Sequence, residues 1–345
     1  MIQKKQRNMS LDILRIMATI AVITIHVTGQ HWMSQNINSF SWAVYNFYRC
    51  ISRWAVPVFI MISGTLFLNP EKPLDLKKLY KKNILRIVTA YIFWSLLYAI
   101  YENNGGIMSF VKKWLLGSGH MWFIYLILFL YLILPFTRWI MQNEKISNWA
   151  LFICFVLGFL CPCILESIPA YFGIKLVTGR ILLIIKIIQK LFGWIGYYCL
   201  GWKIQNTDLK NIKKYLIYIV GSMAFVASFF LFMAYAKKLQ YAPNEFYDNI
   251  SITVLAEAIF VFTLMKNIKW NMSDVVSNKI QKISKMTFGI YMVHMIIYWN
   301  LDSFIYTLNI STVIYIPFMM FFTFIISFGI VCIIDKIPVI RKYII

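Results

Sequence analysis

An all-α bundle that crosses a membrane about ten times is the fold the sequence predicts, and three observations predict it. Hydrophobic residues make up 60% of the 345 and charged ones only 14%, more apolar surface than a water-soluble fold of this size could hide. The apolar residues come in runs of about 20, the length of a spanning helix. None of these runs alternates with period two, which argues against a transmembrane barrel and leaves helices to satisfy the backbone in lipid.

The first span is expected at 11–31. It follows Lys4, Lys5 and Arg7 as a secretory signal would, yet it carries Asp12, Arg15 and His26 and lacks a small-residue cleavage site, so it is read as a retained helix. The second, 42–68, contains VPVFIMISGTLF, in which Pro57 can open a carbonyl and Gly64 permits close backbone approach. A kink with tight helix packing accounts for that stretch as well as a binding role does. The third is expected at 84–101, and the fourth, 120–141, opens with GSGHMWF. The fifth lies at 149–165. Arg180, Lys186 and Lys190 interrupt the run that feeds the sixth, 187–204, so part of that run is expected along the interface. The remaining four are 215–236, 249–266 with Glu257 in LAEAIFVF, 287–306 with TFGIYMVH, and 312–334. Residues 1–345 are read as one bundle, without internal repeats.

A net charge of +21 is typical of nucleic-acid binders, but the placement of the basic residues points to a membrane. The expected inner segments hold 22 lysines and arginines, against five in the outer loops: Lys112, Lys113, Lys175, Lys237 and Lys238. This asymmetry puts both termini in the cytoplasm and makes lipid headgroups, not nucleic acid, the partner of the basic rims. Six cysteines, at 50, 154, 161, 163, 199 and 332, show no zinc spacing, and no metal is expected.

Titratable groups inside hydrocarbon are costly and mark function. Arg15 and His26 are 11 residues apart, close to three turns, and Asp12 and Thr19 lie within about 40° of the same line, so one face of the first helix carries all four. At about 1.5 Å per residue the two are about 16 Å apart, with Arg15 at the inner rim and His26 beyond the midplane. Arg49 and Arg53, four apart on the second helix, share a face at similar depth. His120 and Trp122 are expected at the outer interface, where an anchoring role competes with a substrate role. Tyr291 and His294 are expected in the cytoplasmic half of the ninth helix. Glu257 is a candidate partner for an arginine.

The stretches SLDILRIMATIAVITIHV, RWAVPVFIMISGTLF, HMWFIYLILFLYLILPF, YYCLGWKI and TFGIYMVHMIIY, in this order across ten hydrophobic segments, resemble acyltransferase family 3. Within it the chain is similar to the stand-alone bacterial O-acetyltransferases of surface polysaccharides, of the enterobacterial common antigen type. The resemblance implies transfer of an acyl group, usually acetyl from cytoplasmic acetyl-CoA, to a hydroxyl of a glycan or lipid-linked sugar. It places the family's first-helix arginine and histidine on Arg15 and His26 and its serine-glycine motif on Ser63 and Gly64. Its entrance tryptophan falls on Trp122, and its late tyrosine and histidine on Tyr291 and His294. The family's two arginines at the start of the third helix meet Asn83 and Arg86 here, flanked by Lys81 and Lys82.

The residue types agree with that chemistry. Acyl transfer from a thioester to an alcohol needs a base for the hydroxyl proton and positive groups for the oxyanion. His26 is expected as that base, or as the carrier of the acyl group, with Arg15 as its catalytic partner. Arg15, Lys81, Lys82 and Arg86 form a cationic grip for anionic CoA, with Ser63 and Gly64 added by the resemblance. Arg49, Arg53, His120, Trp122, Tyr291 and His294 are expected around the acceptor. A transporter or flippase of a lipid-linked saccharide would line its path with similar residues. A non-catalytic membrane subunit is the third possibility.

Overall fold

A computed structural model describes residues 8–103, 105–241 and 248–344, so Lys4, Lys5 and Arg7 lie outside the described residues. All regular structure in the described residues is helical. Helix α1 is Met9–His31, capped by the Asn8 side chain, which accepts from the Leu11 amide. Helices α2 (Phe40–Cys50) and α3 (Ala55–Phe67) follow, then α4 (Leu85–Glu102), entered through the π-helical turn Leu79–Ile84. Next come α5 (Ile107–Leu116), α6 (Trp122–Leu132), α7 (Leu134–Gln142) and α8 (Glu144–Phe155). Helix α8 is prolonged by the π-helical turns Val156–Leu160 and Cys163–Ser167. The chain ends with α9 (Gly179–Asn206), α10 (Asn211–Leu239), α11 (Ile252–Asn267), α12 (Asp274–Ile305), α13 (Thr312–Asp335) and α14 (Pro338–Ile344).

All ten predicted spans fall on helices, and among the described residues eight helical stretches are long and apolar enough to cross a membrane. The protein is a multi-pass membrane protein. The other two predicted spans fall on α11, only 16 residues long, and on α12, whose 32 residues carry polar groups inward. The run expected to lie partly along the interface belongs to α9, which is unbroken over 28 residues, about 42 Å, enough for hydrocarbon and headgroups together.

The second predicted span is not one helix. Turns at residues 51–54 separate α2 from α3. The cause is Pro57, whose ring would strike the carbonyl of Arg53 in a continuous helix but is harmless in the first turn of a new one. The fourth span is likewise divided at Ile133, just ahead of Pro135.

Helix α1 is the axis of the bundle. It packs on α2, α3, α11, α12 and α13, and 61% of its apolar window is buried, against 17% for lipid-facing α10. The tightest seam joins α3 to α9. A Cβ at Gly64 would lie 1.8 Å from the Tyr198 carbonyl oxygen, and one at Gly201 2.1 Å from that of Met61. Thr65 Oγ1 donates across the seam to the Gly201 carbonyl at 3.0 Å.

Two outcomes test this architecture. Reporter fusions within 69–83 and after Arg341 should read as cytoplasmic and fusions at Asn36 or Asn309 as external; a cytoplasmic signal at Asn309 refutes the ten-crossing topology. Gly64→Ala should lower stability in detergent by about 1–3 kcal/mol, the usual cost of overpacking. Gly329→Ala, where an added Cβ meets nothing within 4 Å, should be near neutral in the same thermal melts.

Candidate active site

The polar face of α1 ends in a cluster of histidines. The His26 ring lies 5.1 Å from that of His294 and 6.1 Å from that of His120, and the latter two are 5.3 Å apart. Three helical elements contribute one ring each: α1, the Gly119–Met121 turn and α12. His294 is fully buried and His120 is 5% exposed. His120 is therefore no interfacial anchor but an interior residue, because the turn before α6 drops it into the bundle. His294 is level with His26, since α12 passes α1 in a register that span boundaries do not reveal.

Hydrogen bonds fix this arrangement on one side only. Tyr291 Oη donates to the His120 carbonyl, and His294 Nδ1 bonds the Tyr291 carbonyl at 2.6 Å. That bond leaves Nε2 of His294 as the lone-pair nitrogen. Nε2 of His294 and both ring nitrogens of His120 are buried without a partner among the described residues. Such groups cost about 1–3 kcal/mol each and persist where a ligand supplies the bond. His26 is partly exposed and no hydrogen bond engages its ring among the described residues, so it can meet a substrate hydroxyl. No group of three His, Cys, Asp or Glu among the described residues could hold a metal ion.

The arginines of the second span stand on the His26 side of the cluster. Arg49 is buried, with its guanidinium 4.3 Å from the Trp32 ring centroid and packed so closely on α1 that a Cβ at Gly29 would lie 3.3 Å from its Nη1. Both Arg49 and Arg53 stand within electrostatic reach of His26. Arg53 shares a cavity of about 50 Å³ with Glu257, which is fully buried and accepts from Ser228 Oγ at 2.6 Å. The sequence expectation of an arginine facing Glu257 thus finds both at one small cavity.

Toward the inner rim, Arg15 pairs with Asp12 at 3.7 Å, and buried Asp12 accepts from Ser284 Oγ at 2.6 Å. Arg15 and Arg86 both reach Tyr131 electrostatically, and the Arg86 guanidinium lies 5.8 Å from the Phe288 ring. Lys81 and Lys82 are exposed on the turn before α4, more than a helical turn from Thr89 toward the rim. Ser63 donates back to the Phe59 carbonyl at 3.0 Å, and Gly64 lies in the α3–α9 seam. Trp122 is 40% exposed, 5.7 Å from Trp194 and 6.2 Å from Phe123, which in turn lies 5.8 Å from Tyr291.

Sequence reasoning missed two sets of residues. Tyr98 packs its ring 4.8 Å from His120 while its hydroxyl donates to the Met292 carbonyl at 2.8 Å. At the outer end of α1, His31 Nε2 bonds both carboxylate oxygens of Asp302 at 2.9 and 3.0 Å, Tyr306 stacks on its ring, and Tyr315 donates to the same carboxylate. An acid inside the predicted ninth span was the available signal for the second set; nothing distinguished Tyr98 from its neighbours.

The family model described as an acyltransferase domain, that of acyltransferase family 3, matches residues 8–332. Curated relatives from Staphylococcus aureus strains MRSA252 and N315 are each named "Probable poly-beta-1,6-N-acetyl-D-glucosamine export protein". Each is 24% identical over 329 residues, covering 92% of this chain and 90% of its own length. No solved structure matches the chain.

Tyr291→Phe removes one hydroxyl and nothing else. It should cost about 0.5–1.5 kcal/mol, the net value of one buried hydrogen bond, in unfolding measured in detergent. Unchanged stability would show that the bond to the His120 carbonyl does not hold the cluster.

Proposed function

We propose, because this chain belongs to acyltransferase family 3, that it is a membrane O-acyltransferase. It moves an acyl group, acetyl in the simplest form, from cytoplasmic acyl-CoA to a hydroxyl of a cell-surface polysaccharide or lipid-linked sugar. The pattern is that of the stand-alone O-acetyltransferases of the enterobacterial common antigen type. One observation carries the proposal: a polar face that starts at Arg15 ends where partly exposed His26 meets buried His120 and His294.

Arg15, Arg86, Lys81 and Lys82 hold the anionic end of the donor, and Ser63–Gly64 borders it. The extended pantetheine arm follows the face of α1 over the about 16 Å from Arg15 to His26. His26 removes the acceptor hydroxyl proton as the oxygen attacks the thioester carbonyl, and Arg49 and Arg53 stabilise the oxyanion. When the C–S bond breaks, the CoA thiolate takes the proton from His26, leaving an ester and free CoA. His120, Tyr291 and His294 position the acceptor against this base, and Trp122 lines its approach.

Export of a lipid-linked saccharide is the second reading, and the S. aureus relatives, named as probable export proteins of poly-beta-1,6-N-acetyl-D-glucosamine, favour export of a saccharide. One preparation in nanodiscs or liposomes separates the two. His26→Ala should lower acyl transfer by at least about 100-fold while acyl-CoA binding and thermal stability stay near the parent values. Full transfer by a destabilised His26→Ala protein would end the assignment of His26, and saccharide translocation without acyl-CoA, indifferent to the same change, would favour export.

For the donor side, Arg15→Ala and Arg86→Ala should each weaken acyl-CoA binding in calorimetry at fixed low salt, where screening does not mask the effect. Binding indifferent to both changes places the donor elsewhere.

A further inference from the structure

A second, larger opening lies away from the histidines. This cavity of about 560 Å³ sits between the extension of α8, α9, α10 and the start of α11, and it falls inside the about 300–1,000 Å³ range of small-ligand sites. All four elements present the ends that the loop charges assign to the outside.

Its wall combines two kinds of group. Tyr171 and Tyr235 supply aromatic rings, stacked at 5.9 Å with 26° between their planes. Glu166, Lys186, Gln189 and Asp248 supply hydrogen-bonding groups, and Glu166 Oε1 pairs with Lys186 Nζ at 3.0 Å. Fatty-acyl chains have no use for that polar half of the lining, because each such group is costly against hydrocarbon. Sugars use both halves: carbon-bound hydrogens lie against rings, and hydroxyls bridge carboxylates, amides and ammonium groups. Glu166 and Lys186 neutralise each other, and Asp248 is matched by Lys238, which donates to the Tyr171 carbonyl and lies 5.1 Å from the Tyr171 ring. These groups sum to no net charge, which suits an uncharged saccharide.

The cavity also adjoins the small one beside Arg53. Leu231 and Thr253 line both it and the small cavity that Arg53 shares with Glu257. Arg53 in turn reaches His26. We infer that this outward cavity is the acceptor site, taking a stretch of uncharged oligosaccharide from the outer face and presenting its hydroxyl toward His26 past Arg53. The inference rests on the acyltransferase proposal and adds the class and location of its acceptor.

The test uses full-length protein in nanodiscs titrated with a β-linked N-acetylglucosamine tetramer and, separately, with acetyl-CoA. The parent protein should bind both. Tyr235→Ala and Ser167→Trp, the latter filling the cavity from its wall, should each weaken tetramer binding at least tenfold, whereas Tyr235→Phe should keep it. Ser167→Trp answers the case in which Tyr235→Ala fails to fold. Tetramer affinity unchanged by Ser167→Trp overturns the inference and leaves the acyltransferase proposal standing. Absence of acetyl-CoA binding in the parent protein sinks the acyltransferase proposal instead. A co-purifying phospholipid displaced by Ser167→Trp, with no tetramer binding to the parent, makes the cavity a lipid site and also overturns the inference.

Discussion

Hydrocarbon cannot solvate a charge, so every titratable side chain that must sit at membrane depth has to be turned toward protein. In this chain that constraint falls first on α1. Its polar face holds Asp12, Arg15 and His26, and five other helices close around it. Both ends are tied to the same neighbour: Ser284 of α12 donates to Asp12 near the inner rim, and His31 bonds Asp302 of α12 near the outer one. Between these two anchors His26 meets His294. The register of α1 against α12 is thus fixed at two points, and the histidine cluster inherits its geometry from them.

The remaining helices do two different jobs around that pair. Helices α3 and α9 form a dry, backbone-to-backbone seam through Gly64 and Gly201. The break that Pro57 imposes just before α3 lets the chain change direction where Arg53 lies, so that Arg49 packs on α1 while Arg53 borders the Glu257 cavity. A continuous second helix would have put both arginines on one face, as their spacing of four suggests. The interruption spreads two positive charges around the histidines instead of stacking them.

What was legible beforehand is what depends on local order along the chain. Hydrophobic length located the spans, the 3.6-residue period aligned Arg15 with His26, and the sequence GSGHMWF marked His120 and Trp122. What escaped is set by tertiary registration. Whether His294 stands level with His26 depends on how α12 tilts past α1, and no span boundary carries that information. Tyr98 enters the site because α4 happens to face the Gly119–Met121 turn, and one tyrosine in an apolar run has no signature. Pro57 is compatible with an opened carbonyl or a kink from sequence alone, and the structure puts it in the first turn of a new helix, since a proline's effect depends on which turn it occupies.

The glycine seam between α3 and α9 has a mechanical consequence. Its spacing is set by main-chain atoms in contact, not by side chains that can change rotamer, so the two helices have no slack and act as a single strut. Any widening that passes a bulky molecule must then be borne by softer parts. The π-helical turns that extend α8, where the backbone hydrogen bonds already span i→i+5 and the helix is underwound, are the natural place for that strain to concentrate.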